Sequence, residues 1–189
     1  MVNAEELLSQ SESSVLLTKA EIEGIILMRE EEKLARDVYT TLGEKWNLNI
    51  FSNIAQSEQT HMDAVLYLVQ KYEIEDPVKN DTVGVFTDPA LQNLYNQLVS
   101  KGEESMIGAL VVGANIEDLD IYDLERLMSQ TDNQDILITY ANLQKGSRNH
   151  MRAFNKQIEK NGGKYSPQYI SINSFESIVS SEQERGAIK

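Results

Sequence analysis

Four stretches of this chain place residues three and four apart in alternation, the spacing that lines one face of an α-helix. Ile22, Ile25, Arg29, Glu32, Arg36 and Tyr39 form the first stripe, and Ile54, Glu58, His61, Val65, Leu68 and Tyr72 the second. The third runs Met106, Leu110, Gly113, Glu117, Asp120, Leu124 and Leu127, and the fourth Ile136, Tyr140, Leu143, Ser147, His150 and Phe154. Stripes of this kind are buried by packing on one another, so the pattern predicts an all-α chain. No stretch alternates with a period of two clearly enough to predict a strand. Each stripe is interrupted near its middle by polar residues, and both histidines of the protein fall in those interruptions.

Local signals set the expected boundaries. Thr18-Lys19-Ala20-Glu21 has the capping-box pattern, which opens a first helix over about 19–46. Asn47-Leu48-Asn49 is too short for anything but a hairpin into a second helix over about 50–73. Residues 74–89 hold two of the three prolines and turn residues throughout, which reads as a long crossover. A short helix over Ala90–Ser100, broken at Gly102, precedes a third long helix over about 103–130. The fourth spans about 133–161 and ends at Gly162-Gly163. Two antiparallel hairpins joined by one crossover predict a four-helix bundle over residues 18–165. Residues 1–17 read as a flexible leader, and residues 166–189 as an irregular tail packed on the bundle.

Composition excludes several functions. Thirty acidic against 17 basic residues give a net charge of −13, which repels a nucleic-acid backbone. The absence of cysteine removes disulfides, zinc ribbons, iron–sulfur clusters and thiol nucleophiles. No apolar run reaches the roughly 18 residues of a membrane span, so a soluble, cytoplasmic protein without a membrane partner is expected. Ile107, Val111 and Val112 could pack internally or across a homodimer.

Burying several carboxylates in a helical core costs several kcal/mol each unless a cation compensates. Carboxylates with neutral imidazoles suit iron or manganese, and residues at i and i+3 of a helix aim at the same ion. Other readings stand beside this one. A single Glu-x-x-His pair often marks a solvated face, Glu32 could pair with Arg29 and Arg36, and Glu117 and Asp120 could be surface acids within IEDLDIYDLE. Tyr39 and Tyr140 fit ordinary core aromatics. Coincidence of depth favours metal, because all four interruptions lie mid-helix, where antiparallel packing brings them to one layer.

The spacing of Glu32 and Tyr39, followed by Glu58-x-x-His61, a glutamate on the third helix and an x-x-His on the fourth, resembles the ferritin-like di-iron superfamily. More narrowly, REEEKLARDVY, SEQTHMDAV, GANIEDLDIYDL and GSRNHMRAF together resemble a prokaryotic, rubrerythrin-like family of unknown function. The resemblance implies a ferritin-like antiparallel four-helix bundle with Glu32, Glu58, His61, Glu117 and His150 as metal ligands. It implies two iron ions as cofactor, with manganese or zinc compatible. It also implies an oxidoreductase of peroxidase or ferroxidase type, in which Tyr39 relays an electron or proton. Peroxide, dioxygen or ferrous iron is then the small-molecule partner, and electrons come from an external donor. The sequence departs from that pattern at Ser147, where the superfamily has a second glutamate; Asp120 could supply the replacement oxygen. That departure keeps a non-catalytic metal-binding or storage protein, or a bundle with one structural metal, as the alternative.

Overall fold

The structure is a computed structural model that describes residues 16–189, so residues 1–15 of the expected leader lie outside the described residues. Six helices and no strand are present among the described residues: α1 Lys19–Trp46, α2 Asn49–Lys71, α3 Pro89–Glu103, α4 Met106–Met128, α5 Gln134–Lys160 and α6 Ile172–Ser180. The all-α expectation therefore holds, but six helices do not match a four-helix bundle exactly. None of them is long and apolar enough to cross a membrane.

Capping chemistry explains where the helices begin. The Thr18 hydroxyl accepts from the Glu21 amide while the Glu21 carboxylate accepts from the Thr18 amide at 2.7 Å, the expected capping box. Asp88, Ser105, Asn133 and Ser171 cap α3, α4, α5 and α6 in the same side-chain-to-amide manner. Asn47 ends α1 in the left-handed region at φ 51°, a conformation that asparagine tolerates, and this turns the chain directly into α2.

Long-range contacts give the directions of the helices. Arg36 reaches Gln59 and Arg29 reaches the Met62 carbonyl, so α2 runs antiparallel to α1. Gly24 abuts Leu127 while Tyr39 bonds Glu117, so α4 also runs antiparallel to α1. Gly113 abuts Phe154 and Ile121 accepts from Gln144, which sets α5 antiparallel to α4. Two apolar clusters fill the interior. One includes Val38, Leu42, Phe51, Leu110 and Phe154, and the other Ile25, Val65, Leu68, Leu124 and Leu143. The polar interruptions of the stripes lie between them.

Two expectations are corrected, and one open alternative is decided. Gly102 does not break a helix: it lies inside α3, where a Cβ would stand 2.5 Å from Leu42 Cδ1 and where its carbonyl accepts from Trp46 Nε1 at 2.9 Å. The glycine is a close approach of α3 to α1 rather than a terminator, and the break falls at Ser105. The C-terminal stretch expected to be irregular contains α6. Val112 is buried and Val111 packs on the same core, so these two side chains are occupied internally.

The crossover is fastened to α1 by buried cations. Lys33, only 2% exposed, donates to Asp37 at 2.5 Å and to the carbonyls of Thr82 and Val85 at 3.2 and 3.1 Å. Arg29 makes a two-pronged bond to Asp76 at 3.1 Å, and Arg36 bonds Asp81 at 2.7 Å. Two crossover carbonyls and a full countercharge satisfy the Lys33 ammonium, which is what permits its burial.

Candidate metal centre

Glu32 comes from α1, Glu58 and His61 from α2, Glu117 from α4 and His150 from α5, and all five are buried. The i, i+3 spacing of Glu58 and His61 places both on one face of α2, with His61 Nδ1 2.7 Å from Glu58 Oε2. The same Nδ1 lies 3.2 Å from Glu32 Oε2. On the other side, His150 Nδ1 lies 2.9 Å from Glu58 Oε1 and 3.4 Å from Glu117 Oε2. Glu58 thus turns one oxygen toward each imidazole, and the two rings stack with centroids 5.5 Å apart.

Two sets of ligand-type atoms result. Those of Glu32, Glu58 and His61, and those of Glu58, Glu117 and His150, each lie within 4.8 Å of one another, with Glu58 common to both. Buried atoms without hydrogen-bond partners include Glu32 Oε1, Glu58 Oε1 and His150 Nδ1. The last two are only 2.9 Å apart, yet their angles do not form a hydrogen bond. Lone pairs that converge on a common point and satisfy nothing else are the donor set of a cation. The residues therefore fit a metal ion at each set.

The surroundings hold the ligands in place. His150 Nε2 lies 3.0 Å from the Ser57 hydroxyl, which fixes the ring so that Nδ1 faces the carboxylates. Tyr39, fully buried between Phe51 and Phe154, donates its hydroxyl to Glu117 Oε1 at 2.6 Å. The same hydroxyl lies 3.3 Å from the Gly113 carbonyl, so Tyr39 touches the Glu117 carboxylate directly. Gly146 makes room for His61: a Cβ there would stand 2.6 Å from Cε1 and still closer to Nε2.

Protonation follows from these contacts. Burial pushes Glu32 up to about 8 and Glu117 up to about 7, against the opposing pull of their imidazole neighbours. Burial also opposes ionisation of Glu58, but His150 and His61 outweigh it and hold this carboxyl well below the usual range. Burial disfavours charge on His150, yet Glu58 and Glu117 prevail and raise it to about 10; Glu32 and Glu58 likewise raise His61. Without a cation the cluster retains protons at neutral pH. Burial and the neighbouring Glu117 push the Tyr39 phenol up as well, so it remains a donor.

Asp120 stands apart from the two sets. It accepts from the Ser147 hydroxyl, which also bonds the Leu143 carbonyl at 3.0 Å. Ser147 and Asp120 thus pair with each other across α5 and α4. Arg29 and Arg36 do not pair with Glu32; their partners lie in the crossover, on Asp37 and on Gln59. Glu117 is not a surface acid, being 1% exposed. Sequence reasoning missed Glu31, whose Oε2 is buried without a partner beside this cluster. It also missed the cavity that Glu31 lines, of about 140 Å³, between α1, α3 and α4.

A family model described as an uncharacterized protein domain, DUF2202, matches residues 21–182. An uncharacterized protein of Methanocaldococcus jannaschii, MJ0754, is 61% identical over 170 residues, which span 90% of this chain and 92% of that protein. The crystal structure of the hypothetical protein MJ0754 from Methanococcus jannaschii is similar with a TM-score of 0.89 and 59% identity, over 92% of this chain and 99% of that one.

Proposed function

The chain belongs to the DUF2202 family, and we propose that it is a ferritin-like metal protein in which Glu32, Glu58, His61, Glu117 and His150 hold two iron-class ions for redox turnover of peroxide or dioxygen. In this reading α1, α2, α4 and α5 are the four bundle helices, residues 18–165 form the metal-carrying unit, and residues 166–189 latch onto it. The observation that carries the proposal is Glu58, whose two oxygens face His61 at 2.7 Å and His150 at 2.9 Å, the arrangement of a carboxylate shared between two ions. When bound, such ions supply electrons to, or accept them from, a small oxygen species. Manganese or zinc would be accepted by the same donors.

The chain's own residues have definite tasks. Glu32 and Glu117 close the two ends of the site, and His61 and His150 release their Nδ1 protons to become neutral ligands. Tyr39 keeps Glu117 turned inward and stores a proton within reach of that carboxylate. Electrons arrive from outside, because a chain without cysteine has no iron–sulfur or thiolate centre of its own.

Ser147 favours a second reading, a non-catalytic protein with one tightly held ion. It occupies the place of a further carboxylate and bonds Asp120, which leaves the second ion one ligand poorer. Elemental analysis of protein purified without chelator, together with anomalous scattering from a crystal, tests both. Two ions flanking Glu58 and peroxide consumption by the iron-loaded protein support the first; one ion and no turnover select the second. Glu58→Ala is expected to remove both ions. An unaltered metal content in that variant, or no metal at all in the natural protein after anaerobic loading, sinks both readings.

A further inference from the structure

The cavity beside the centre carries a second inference, which rests on the metal-site reading and names a substrate class for it. Its floor is made by Glu32, Glu58 and Glu117, the ligand residues themselves. Its walls are Leu34 of α1, Leu91 and Leu98 of α3, and Ile116 of α4. Leu94 and Tyr169, 37% and 43% exposed, stand at its outer edge. The ligand geometry makes no use of α3, whose leucines instead roof the one face of the cluster that this cavity reaches.

Size and chemistry limit the occupant. An apolar cavity of about 150 Å³ accepts a benzene-sized molecule, and this one, with leucine walls over an acidic floor, measures about 140 Å³. No lysine, arginine or histidine is among its lining residues, so an anion would find no countercharge there. Glu31 Oε2, buried without a partner, offers a single acceptor to a hydrogen-bond donor. We infer that the cavity binds a small uncharged organic molecule with an apolar body about the size of benzene and one hydroxyl, presented edge-on to the metal ligands.

Ligand-observed NMR titrations with phenol and with benzoate test this on the full chain, both metal-free and metal-loaded. Saturable phenol binding is expected in both forms, with benzoate at least tenfold weaker than phenol in the metal-free form. Leu94→Trp, at the exposed edge where folding tolerates it, should weaken phenol at least tenfold with metal content and circular dichroism unchanged. Absence of saturable phenol binding, equal binding of phenol and benzoate by the metal-free form, or phenol affinity untouched by Leu94→Trp overturns the inference. Metal content measured on the same samples separates the two readings: phenol binding without metal defeats only the metal site, and metal without phenol binding defeats only the cavity.

Discussion

Gly146 of α5 faces the imidazole of His61 so closely that a Cβ at this position would overlap Nε2 and stand 2.6 Å from Cε1. Glycine is required by the ring of the neighbouring helix and not by its own backbone, which is helical. Gly146→Ala should therefore displace His61 and lower metal content at least tenfold. Alanine is the better helix former by about 1 kcal/mol, so helical content by circular dichroism should stay as it is. A variant that retains full metal would show that His61 is not a ligand.

The centre should make the metal-free protein sensitive to base. His150 is raised from 6.5 to about 10, so the stability it contributes is complete below 6.5 and lost as pH rises through about 10. Glu32, raised from 4.5 to about 8 by burial, acts in the same direction, favouring the fold while protonated. The melting temperature of metal-free protein is thus expected to fall between pH 6.5 and 10. Bound metal displaces these protons, so loaded protein should lack that decline, and uptake at pH 7 should release protons in calorimetry run in two buffers of different ionisation enthalpy.

Asp118 is the fastening point of the C-terminal segment. Fully buried on α4, it accepts from the Tyr165 hydroxyl at 2.8 Å and from the amides of Gln168, Tyr169 and Ile170 at 2.5, 3.1 and 3.0 Å. Asp118→Ala leaves those donors without a partner, at about 1–3 kcal/mol for each that remains buried. Hydrogen exchange should become fast at residues 168–170, and Tyr169 should lose its position at the cavity edge. Unchanged protection there would refute the latch.

Glu184 should give the same segment an acid-sensitive end. Its bonds to Arg148 at 2.5 and 2.8 Å, aided by Arg152 at 2.9 Å, overcome partial burial and depress its carboxyl from 4.5 to about 2. A depressed carboxyl contributes stability above about 4.5 that fades as pH falls toward about 2. The group is about a third exposed, so solvent screening keeps this contribution small. Proteolysis near residue 184 is expected to rise as pH drops below 4.5 and with added salt, while Glu184→Gln should cleave equally at either pH.

Periodicity made most of this legible. The stripes in the sequence named the buried faces of the four long helices, and Glu32, Glu58, His61, Glu117 and His150 meet because antiparallel packing brings mid-helix positions to one depth. Asp120, expected to supply a replacement oxygen, bonds Ser147 and stands outside both ligand-type sets. What could not be read depends on contacts between distant segments. Gly102 and Gly146 have the composition of breakers, and only Leu42 and His61 on other helices reveal them as close approaches. Glu31 follows Glu30 and precedes Glu32, and no local signal separates the one beside the cavity from its neighbours. The helix α6 is too short for periodicity to distinguish from a loop.

The crossover bonds have a consequence for the order in which the molecule is made. Glu32, Glu58 and His61 all belong to the first hairpin, and Lys33, Arg29 and Arg36 tie residues 76–85 back onto α1 before any ligand from α4 or α5 enters the sequence. One set of donors is therefore complete in the chain at His61, whereas the other waits for His150. The two sets of donors are completed at different times, and the earlier one has its three side chains before Glu117 or His150 is added.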